Sequence, residues 1–67
     1  MLHVDDIVTF SFGPRTMRAR VVEDRGQLGV GGRQIVVVEV EDQAPVEDVL
    51  RFEMPATELT VVQQAAA

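Results

Sequence analysis

Apolar and polar residues alternate with a period of two along several short stretches of this chain, which is typical of β-strands with one buried face. In the first stretch, residues 7–12, Val8, Phe10 and Phe12 fall on one side and polar residues dominate the other. No stretch of helical length shows a period of 3.6. Thirteen of the 67 residues are valines, whose stiff, branched side chains favour pleated surfaces. The pattern therefore predicts an all-β protein.

Turn-forming residues separate the predicted strands, which we place at residues 7–12, 16–23, 34–41, 49–54 and 60–62. Gly13 and Pro14 form the first turn, residues 26–32 form a glycine-rich connection, and residues 43–48 form a third loop. The segment 55–59 is too short for an α-helix, and its leading proline favours a single 3-10 turn before the last strand. We expect one domain over residues 1–62 and a flexible tail over 63–67.

The second and third strands have one pairing register that suits both faces of the sheet. Residues whose numbers add to 59 then lie opposite each other, which brings apolar residues together on the core side and opposite charges together on the outer side. The predicted pairs are Val21 with Val38, Ala19 with Val40, Arg20 with Glu39, and Arg18 with Glu41. A slip by one residue would turn the charges into the core, so we predict an antiparallel hairpin in this register.

The segment from Val4 to Phe10, Val-Asp-Asp-Ile-Val-Thr-Phe, resembles the opening of SH3-like barrels of the KOW and Tudor kind. Residues 55–61 resemble the segment that leads into the last strand of those domains. The resemblance implies a five-stranded, strongly bent SH3-like barrel that binds proteins or nucleic acids and does not catalyse. Two departures stand out: Asp5 occupies a position where the family usually has glycine, and the chain lacks an aromatic cage. An OB-like barrel is the alternative fold.

Composition excludes several kinds of site. The chain contains no Cys and no Lys, so it has neither thiolate zinc ligands nor the lysine of a phosphate-binding P-loop. With no Trp or Tyr, it cannot build the aromatic cage that recognises methyl-lysine. The sequence has no apolar run long enough to span a membrane and no basic, apolar leader at residues 1–6. We expect a small acidic protein of the cytoplasm, and the use of Arg without Lys suggests a GC-rich bacterial genome.

The net charge of -5 is unevenly distributed along the chain. Residues 1–38 carry five Arg and four acidic residues, whereas residues 39–67 carry seven acidic residues and one Arg. One hypothesis is a nucleic-acid contact through the Arg-bearing first half, since Arg binds phosphate in a bidentate manner. Its candidate residues are Arg15, Arg18, Arg20, Arg25 and Arg33. The competing interpretation is a solvated face in which Arg18 and Arg20 are neutralised by the acidic residues of the third strand.

Two groups of apolar residues are candidates for a protein-binding surface. Leu28 and Val30 lie on the glycine-rich connection, where they either fold back to cap the core or stand exposed to contact a partner. Val22, Ile35 and Val37 fall on the outer side of the second and third strands, where they form either an exposed patch or a surface buried by bending of the strands. Val49 is a further candidate on the next strand.

The sequence provides no catalytic constellation. His3 is the only histidine, and Asp5 and Asp6 beside it form at most a weak metal site, so we expect a solvated histidine and neither metal nor cofactor. The four adjacent acidic pairs fall in loops or at strand ends, where carboxylates are normally ionised. The sequence therefore favours a non-catalytic interaction module that binds a protein or associates with itself, with nucleic-acid binding as the alternative.

Overall fold

Five antiparallel strands and two short 3-10 turns make up the computed structural model of the chain, which describes residues 1–41 and 50–66. The strands are β1 (Ile7–Phe12), β2 (Arg15–Asp24), β3 (Ile35–Val40), β4 (Arg51–Pro55) and β5 (Thr60–Gln63). The 3-10 turns are Val30–Gly32, between β2 and β3, and Ala56–Glu58, between β4 and β5. The predicted all-β class and the 3-10 turn before the last strand are confirmed. The described residues include no helix long and apolar enough to cross a membrane.

The predicted strands differ from the observed ones mainly at their ends. Pairing of Phe12 with Arg15 starts β2 one residue early, directly after a two-residue turn in which Gly13 has a φ of 60°. Pairing with β3 carries β2 through Asp24, whereas β3 itself is shorter by one residue at each end than predicted. In the predicted fourth strand, residue 49 lies outside the described part of the chain, and the observed strand continues to Pro55.

The sheet has the order β4-β3-β2-β1-β5, so β4 and β5 are its two edges. It is open, because β4 and β5 are not hydrogen-bonded neighbours in that order. Both edge strands run in the same direction, since every neighbouring pair in the sheet is antiparallel.

The connection from β4 to β5 forces the sheet to curl. Five strands in a flat sheet would place the two edges about 19 Å apart, at about 4.8 Å per strand. Only residues 56–59 join the edges, and three of them form a 3-10 turn. At about 2.0 Å of rise per 3-10 residue, this link reaches about 13 Å. The sheet must therefore be strongly curved, which brings Ala56 and Leu59 of the link against the core.

The predicted register between β2 and β3 is confirmed from Ala19 to Val21. Val21 lies opposite Val38, Ala19 opposite Val40, and Arg20 opposite Glu39. The register then shifts by one residue, because both Val22 and Glu23 of β2 face Val37. This β-bulge increases the local twist and bend of β2, and alternation in the sequence did not predict it.

Valines dominate the core, which occupies the inner face of the curved sheet. The fully buried side chains are Val8, Val21, Val36 and Val38, with Ala19 between them. Leu2, Phe10 and Val40 complete the buried cluster, and Met17, Phe52 and Met54 pack partly against it.

Phe12 does not share the burial of Val8 and Phe10, although it lies on the same side of β1. As the last residue before the turn, it projects past the valine core and remains 60% exposed. Its ring lies 6.3 Å from that of Phe52, which also makes an edge contact of 6.2 Å with Phe10. The three aromatic rings therefore cover one end of the core.

The first six residues are joined to the sheet by hydrogen bonds rather than solvated as a free terminus. The side-chain amide of Gln34 accepts from the Leu2 N–H and donates to the Leu2 carbonyl, both at 2.8 Å. This two-point contact imitates a strand pairing and holds the Leu2 side chain in the core. Asp5 donates its N–H to the Val21 carbonyl at 2.8 Å and adopts a φ of 77°, the left-handed region in which glycine is unstrained.

We predict that Gln34→Glu destabilises the protein by about 1–3 kcal/mol at neutral pH. A carboxylate cannot donate to the Leu2 carbonyl, and it places a charge at a buried position. Urea unfolding at pH 7 measures the change. The matched control is Gln27→Glu, the same substitution at an exposed site. Equal stabilities of the two variants would show that the amide contact with Leu2 is dispensable.

Candidate functional site

Backbone hydrogen bonds cross the β2–β3 loop, residues 25–34, at its base and near its end. At its base, Arg25 N–H donates to the Ile35 carbonyl and Ile35 N–H donates to the Gly26 carbonyl, both at 2.9 Å. Nearer the end of the loop, Gly29 N–H donates to the Arg33 carbonyl at 2.9 Å. The glycine-rich loop is therefore internally hydrogen-bonded.

Leu28 and Val30, which we call the apolar tip, project from this loop into solvent. Leu28 is 75% exposed and Val30 is 90% exposed, so neither caps the core. Gly29 between them lies against the sheet: an added Cβ would be 3.0 Å from Ile35 Cδ1 and 2.9 Å from the Arg33 carbonyl oxygen. The tip is thus fixed by close contact at Gly29, with large apolar side chains on either side.

Positive charge borders the apolar tip. Arg33 is exposed and has no ion-pair partner among residues 1–41 and 50–66. Arg25, at the start of the loop, is held by Glu23 at 2.9 Å and Glu53 at 3.0 Å. Arg33 is therefore the cation beside the tip that a ligand can contact without breaking an ion pair within this part of the chain.

Val22, Ile35 and Val37, which we call the outer cluster, are only half-buried and do not form an open apolar patch. Glu23 and Glu53 flank Val37 on the neighbouring strands, and Arg25 bonds to both carboxylates across it. A shallow depression over the cluster is lined by Val22 and Val37 together with the charged residues Glu23, Arg25 and Arg51. Ion pairs formed by Arg25 and Arg51 therefore lie over the outer cluster.

The charges opposite each other on β2 and β3 are partnered differently from the prediction. Arg20 and Glu39 are register partners, but the ion pairs are Arg20 with Asp5, at 3.8 Å, and Glu39 with Arg51, at 3.2 Å. The Glu41 N–H bonds to the Arg18 carbonyl at 2.9 Å, which continues the predicted register through the backbone. The partners come from the neighbouring strand β4 and from the N-terminal turn, and a prediction limited to β2 and β3 could not include them.

The five Arg residues of the nucleic-acid hypothesis do not converge on one site. Arg15 and Arg18 line a depression near the start of β2, with Glu41 beside them. Arg25 and Arg33 lie past the other end of β2, about 30 Å farther along the strand at about 3.3 Å per residue. Arg20 and Arg25 are engaged by carboxylates.

Asp6 joins the two ends of the described chain. Its buried carboxylate accepts the Ala65 N–H at 2.7 Å and the His3 N–H at 2.9 Å. The backbone N–H groups of Ala65 and His3 hold the pKa of Asp6 below its usual value of 3.8. The His3 ring, largely exposed, lies with Nδ1 3.9 Å from the same carboxylate. Asp6 thus serves as an acceptor for backbone donors. The flexibility of the tail, residues 63–67, stays a prediction, although Ala65 makes this contact.

A surface cleft of about 480 Å³ adjoins this contact, lined by His3, Asp6, Val61 and the terminal segments. His3 and Asp6 supply it with one imidazole and one carboxylate, but no third ligand: in the part of the chain that the structure describes, no three His, Asp or Glu side chains are grouped to hold a metal ion.

Comparison of the chain with protein-family models, with curated proteins and with solved structures finds no match in any of the three. The candidate site therefore rests on the geometry of this chain alone.

Sequence reasoning missed the structural roles of Asp6, Gln34 and Arg25. Asp6 and Gln34 bind backbone groups 59 and 32 residues away, and nothing in a local pattern indicates such partners. For Arg25, one signal was present: acidic residues precede it at positions 23 and 24. Its second partner, Glu53, became accessible only through the pairing of β3 with β4.

We predict that Asp6→Asn weakens the dependence of stability on acid. Because the folded-state pKa of Asp6 lies below the unfolded value, its contribution is fully present above about pH 4 and disappears as the pH falls through the folded pKa. Urea unfolding between pH 2 and pH 7 should show a smaller loss of stability on acidification in Asp6→Asn than in the wild type. Glu58→Gln, at an exposed site, is the control and should follow the wild type. Parallel curves for all three proteins would contradict the role of Asp6.

A second prediction concerns the support of the apolar tip. Gly29→Ala should destabilise the protein by about 1–2 kcal/mol, because the new methyl group overlaps the Arg33 carbonyl and Ile35. Gln27→Ala in the same loop should stay within about 0.5 kcal/mol of the wild type. Thermal unfolding monitored by circular dichroism compares the two, and an unchanged midpoint for Gly29→Ala would mean that the loop adjusts freely.

Proposed function

We propose that this protein is a non-catalytic interaction module that docks a protein partner through the apolar tip, Leu28 and Val30. The observation that carries the proposal is the exposure of these two side chains on a loop that is internally hydrogen-bonded. A flexible loop would lose conformational entropy on binding, whereas a preorganised one loses little. The tip is therefore built to contact something outside this chain.

The expected affinity follows from the size of the tip. Burying a Leu and a Val side chain contributes about 3–6 kcal/mol. Association costs about 4–15 kcal/mol in lost translational and rotational freedom. Burial of the tip alone therefore does not offset the cost of association. Further contacts around it are needed, and the charged surface over the outer cluster supplies them. We propose Val22, Ile35 and Val37 as the support of this interface rather than its contact surface.

The charge beside the tip defines the chemistry of the partner. Arg33 has no carboxylate partner in the described residues, so an acidic group on the partner can pair with it. We infer an apolar pocket with an acidic rim. Near the loop, Arg25 bonds to both Glu23 and Glu53 and offsets one of their two negative charges, which reduces the repulsion of an acidic partner there.

We also propose that the curled sheet is an SH3-like barrel. Its support is the strand order, in which β5 lies beside β1 and a 3-10 turn leads from β4 to β5. The left-handed φ of Asp5 gives a physical reason for the glycine that is usual at this position in the resembling domains.

Nucleic-acid binding through Arg15, Arg18, Arg20, Arg25 and Arg33 is the alternative, and it has less support. Phosphate binding gains strength from cations clustered along one face. Here the cations are spread along the length of β2, and Arg20 and Arg25 already have carboxylate partners.

The proposal is tested by site-specific photo-crosslinking in the source cells. Benzoylphenylalanine at position 30 should give a defined protein adduct, whereas the same residue at position 57, exposed on the link from β4 to β5, should not. The protein in the adduct is identified by mass spectrometry, purified, and titrated with the wild-type chain by calorimetry.

In that titration, Leu28→Ser should weaken binding by about tenfold, because it removes about 1.4 kcal/mol or more of apolar burial. Arg33→Glu should weaken binding and alter its dependence on salt. Unchanged binding by a correctly folded Leu28→Ser variant would falsify the proposal. Salt-sensitive binding to RNA or DNA that survives Leu28→Ser would favour the nucleic-acid alternative instead.

A further inference from the structure

The backbone of β4 alternates between groups that bond to β3 and groups that point away from the sheet. Val40 N–H donates to the Leu50 carbonyl at 3.0 Å, and Ala56 N–H donates to the Gln34 carbonyl at 2.9 Å. Hydrogen-bonded pairs recur at every second residue of an antiparallel ladder. The peptide groups of Phe52 and Met54 therefore face β3, whereas those of Arg51 and Glu53 face outward.

These outward groups form an unpaired edge. Within residues 1–41 and 50–66, no hydrogen bond reaches the backbone N–H of Arg51 or Glu53. Their side chains lie on the outer face and are exposed. Such an edge is a ready template for a strand from another chain.

The charges on this edge select one register for pairing with a second copy. Of the outward residues of β4, Pro55 has no N–H to donate, which leaves Arg51 and Glu53. Two antiparallel β4 strands can bond through these two residues in three ways, centred on Arg51, Phe52 or Glu53. Centring on Arg51 puts Arg51 opposite itself, and centring on Glu53 puts Glu53 opposite itself, so both bring like charges together. Centring on Phe52 places Arg51 opposite the partner subunit's Glu53 on both sides of the axis. The edge is self-complementary in that register alone.

We propose that two copies of this chain pair through the outer edges of β4, with a two-fold axis at Phe52. The pairing makes four backbone hydrogen bonds between Arg51 and Glu53 of the two subunits. It joins the two sheets into one of ten strands and sets Leu50, which is 47% exposed in the single chain, opposite the partner's Met54. Arg51 then lies between Glu39 of its own chain and Glu53 of the partner. This dimer uses a different surface from the apolar tip and does not depend on the proposed function.

Sedimentation velocity over a range of concentrations tests the dimer. The wild type should reach about 15 kDa, twice the 7.4 kDa of the chain. Arg51→Glu and Glu53→Arg each replace attraction with repulsion at both symmetric contacts, so each should raise the dissociation constant by about tenfold or more. The double variant, Arg51→Glu with Glu53→Arg, restores opposite charges and should dimerise like the wild type. The two single variants mixed in equal amounts should form a heterodimer.

Two further variants separate this interface from others. Glu53→Pro removes an outward N–H without touching the ladder to β3, and it should abolish the dimer while circular dichroism shows a folded chain. Glu58→Arg makes the same change of charge as Glu53→Arg away from the edge, and it should leave the dimer intact.

The proposal is overturned by a wild type that stays monomeric at the highest soluble concentration, or by single charge variants that dimerise as well as the wild type. A dimer that survives Glu53→Pro but is lost in Val62→Arg would place the interface on β5, whose Val61 and Val62 are also exposed. If either single variant fails to fold, the double variant and Glu53→Pro still decide between these outcomes.

Discussion

The pairing of β2 with β3 in a single register is the interaction on which the rest of this protein depends. It places Val21 against Val38 on the inner face and keeps Arg20 and Glu39 on the outer face, so burial of the valines and exposure of the charges favour the same alignment. The bulge at Val22 then turns the end of β2, and the β2–β3 loop begins from that turned end. Without this register, the core would contain charges and the loop would lose the base that orders it.

Curvature is the second constraint, and it gives the small chain a core. Sixty-seven residues cannot bury a flat sheet, because one face would stay exposed without a second layer. The short link from β4 to β5 curls the sheet until its inner face packs on itself around Val8, Val36 and Val38. The terminal segments then reach each other, and the carboxylate of Asp6 joins them by accepting the N–H groups of His3 and Ala65. The amide of Gln34 separately binds the Leu2 backbone, whose side chain packs in the core.

Both proposed contacts follow from features that the fold leaves unsatisfied. Leu28 and Val30 retain apolar surface in water, and the outer edge of β4 retains unpaired backbone groups. The first suits an unlike partner that offers an apolar pocket to Leu28 and Val30. The second is suited to an identical partner, since the charges of Arg51 and Glu53 complement themselves under two-fold symmetry. The outer cluster around Val37 is covered by ion pairs and therefore leaves less apolar surface for either kind of partner.

The sequence by itself determined the all-β class, the approximate strands, the 3-10 turn and the β2–β3 register up to Val21, because each depends on residues close together or on simple alternation. Tertiary structure alone decided the bulge, the partial burial of the outer cluster, the exposure of the apolar tip and the partners of Asp6, Gln34 and Arg25. These features depend on how far the sheet curls and on which distant backbone groups it brings within about 3 Å, and a period-two pattern carries no information about either. The same pattern of alternating residues is compatible with many curvatures, and the few residues between β4 and β5 select this one.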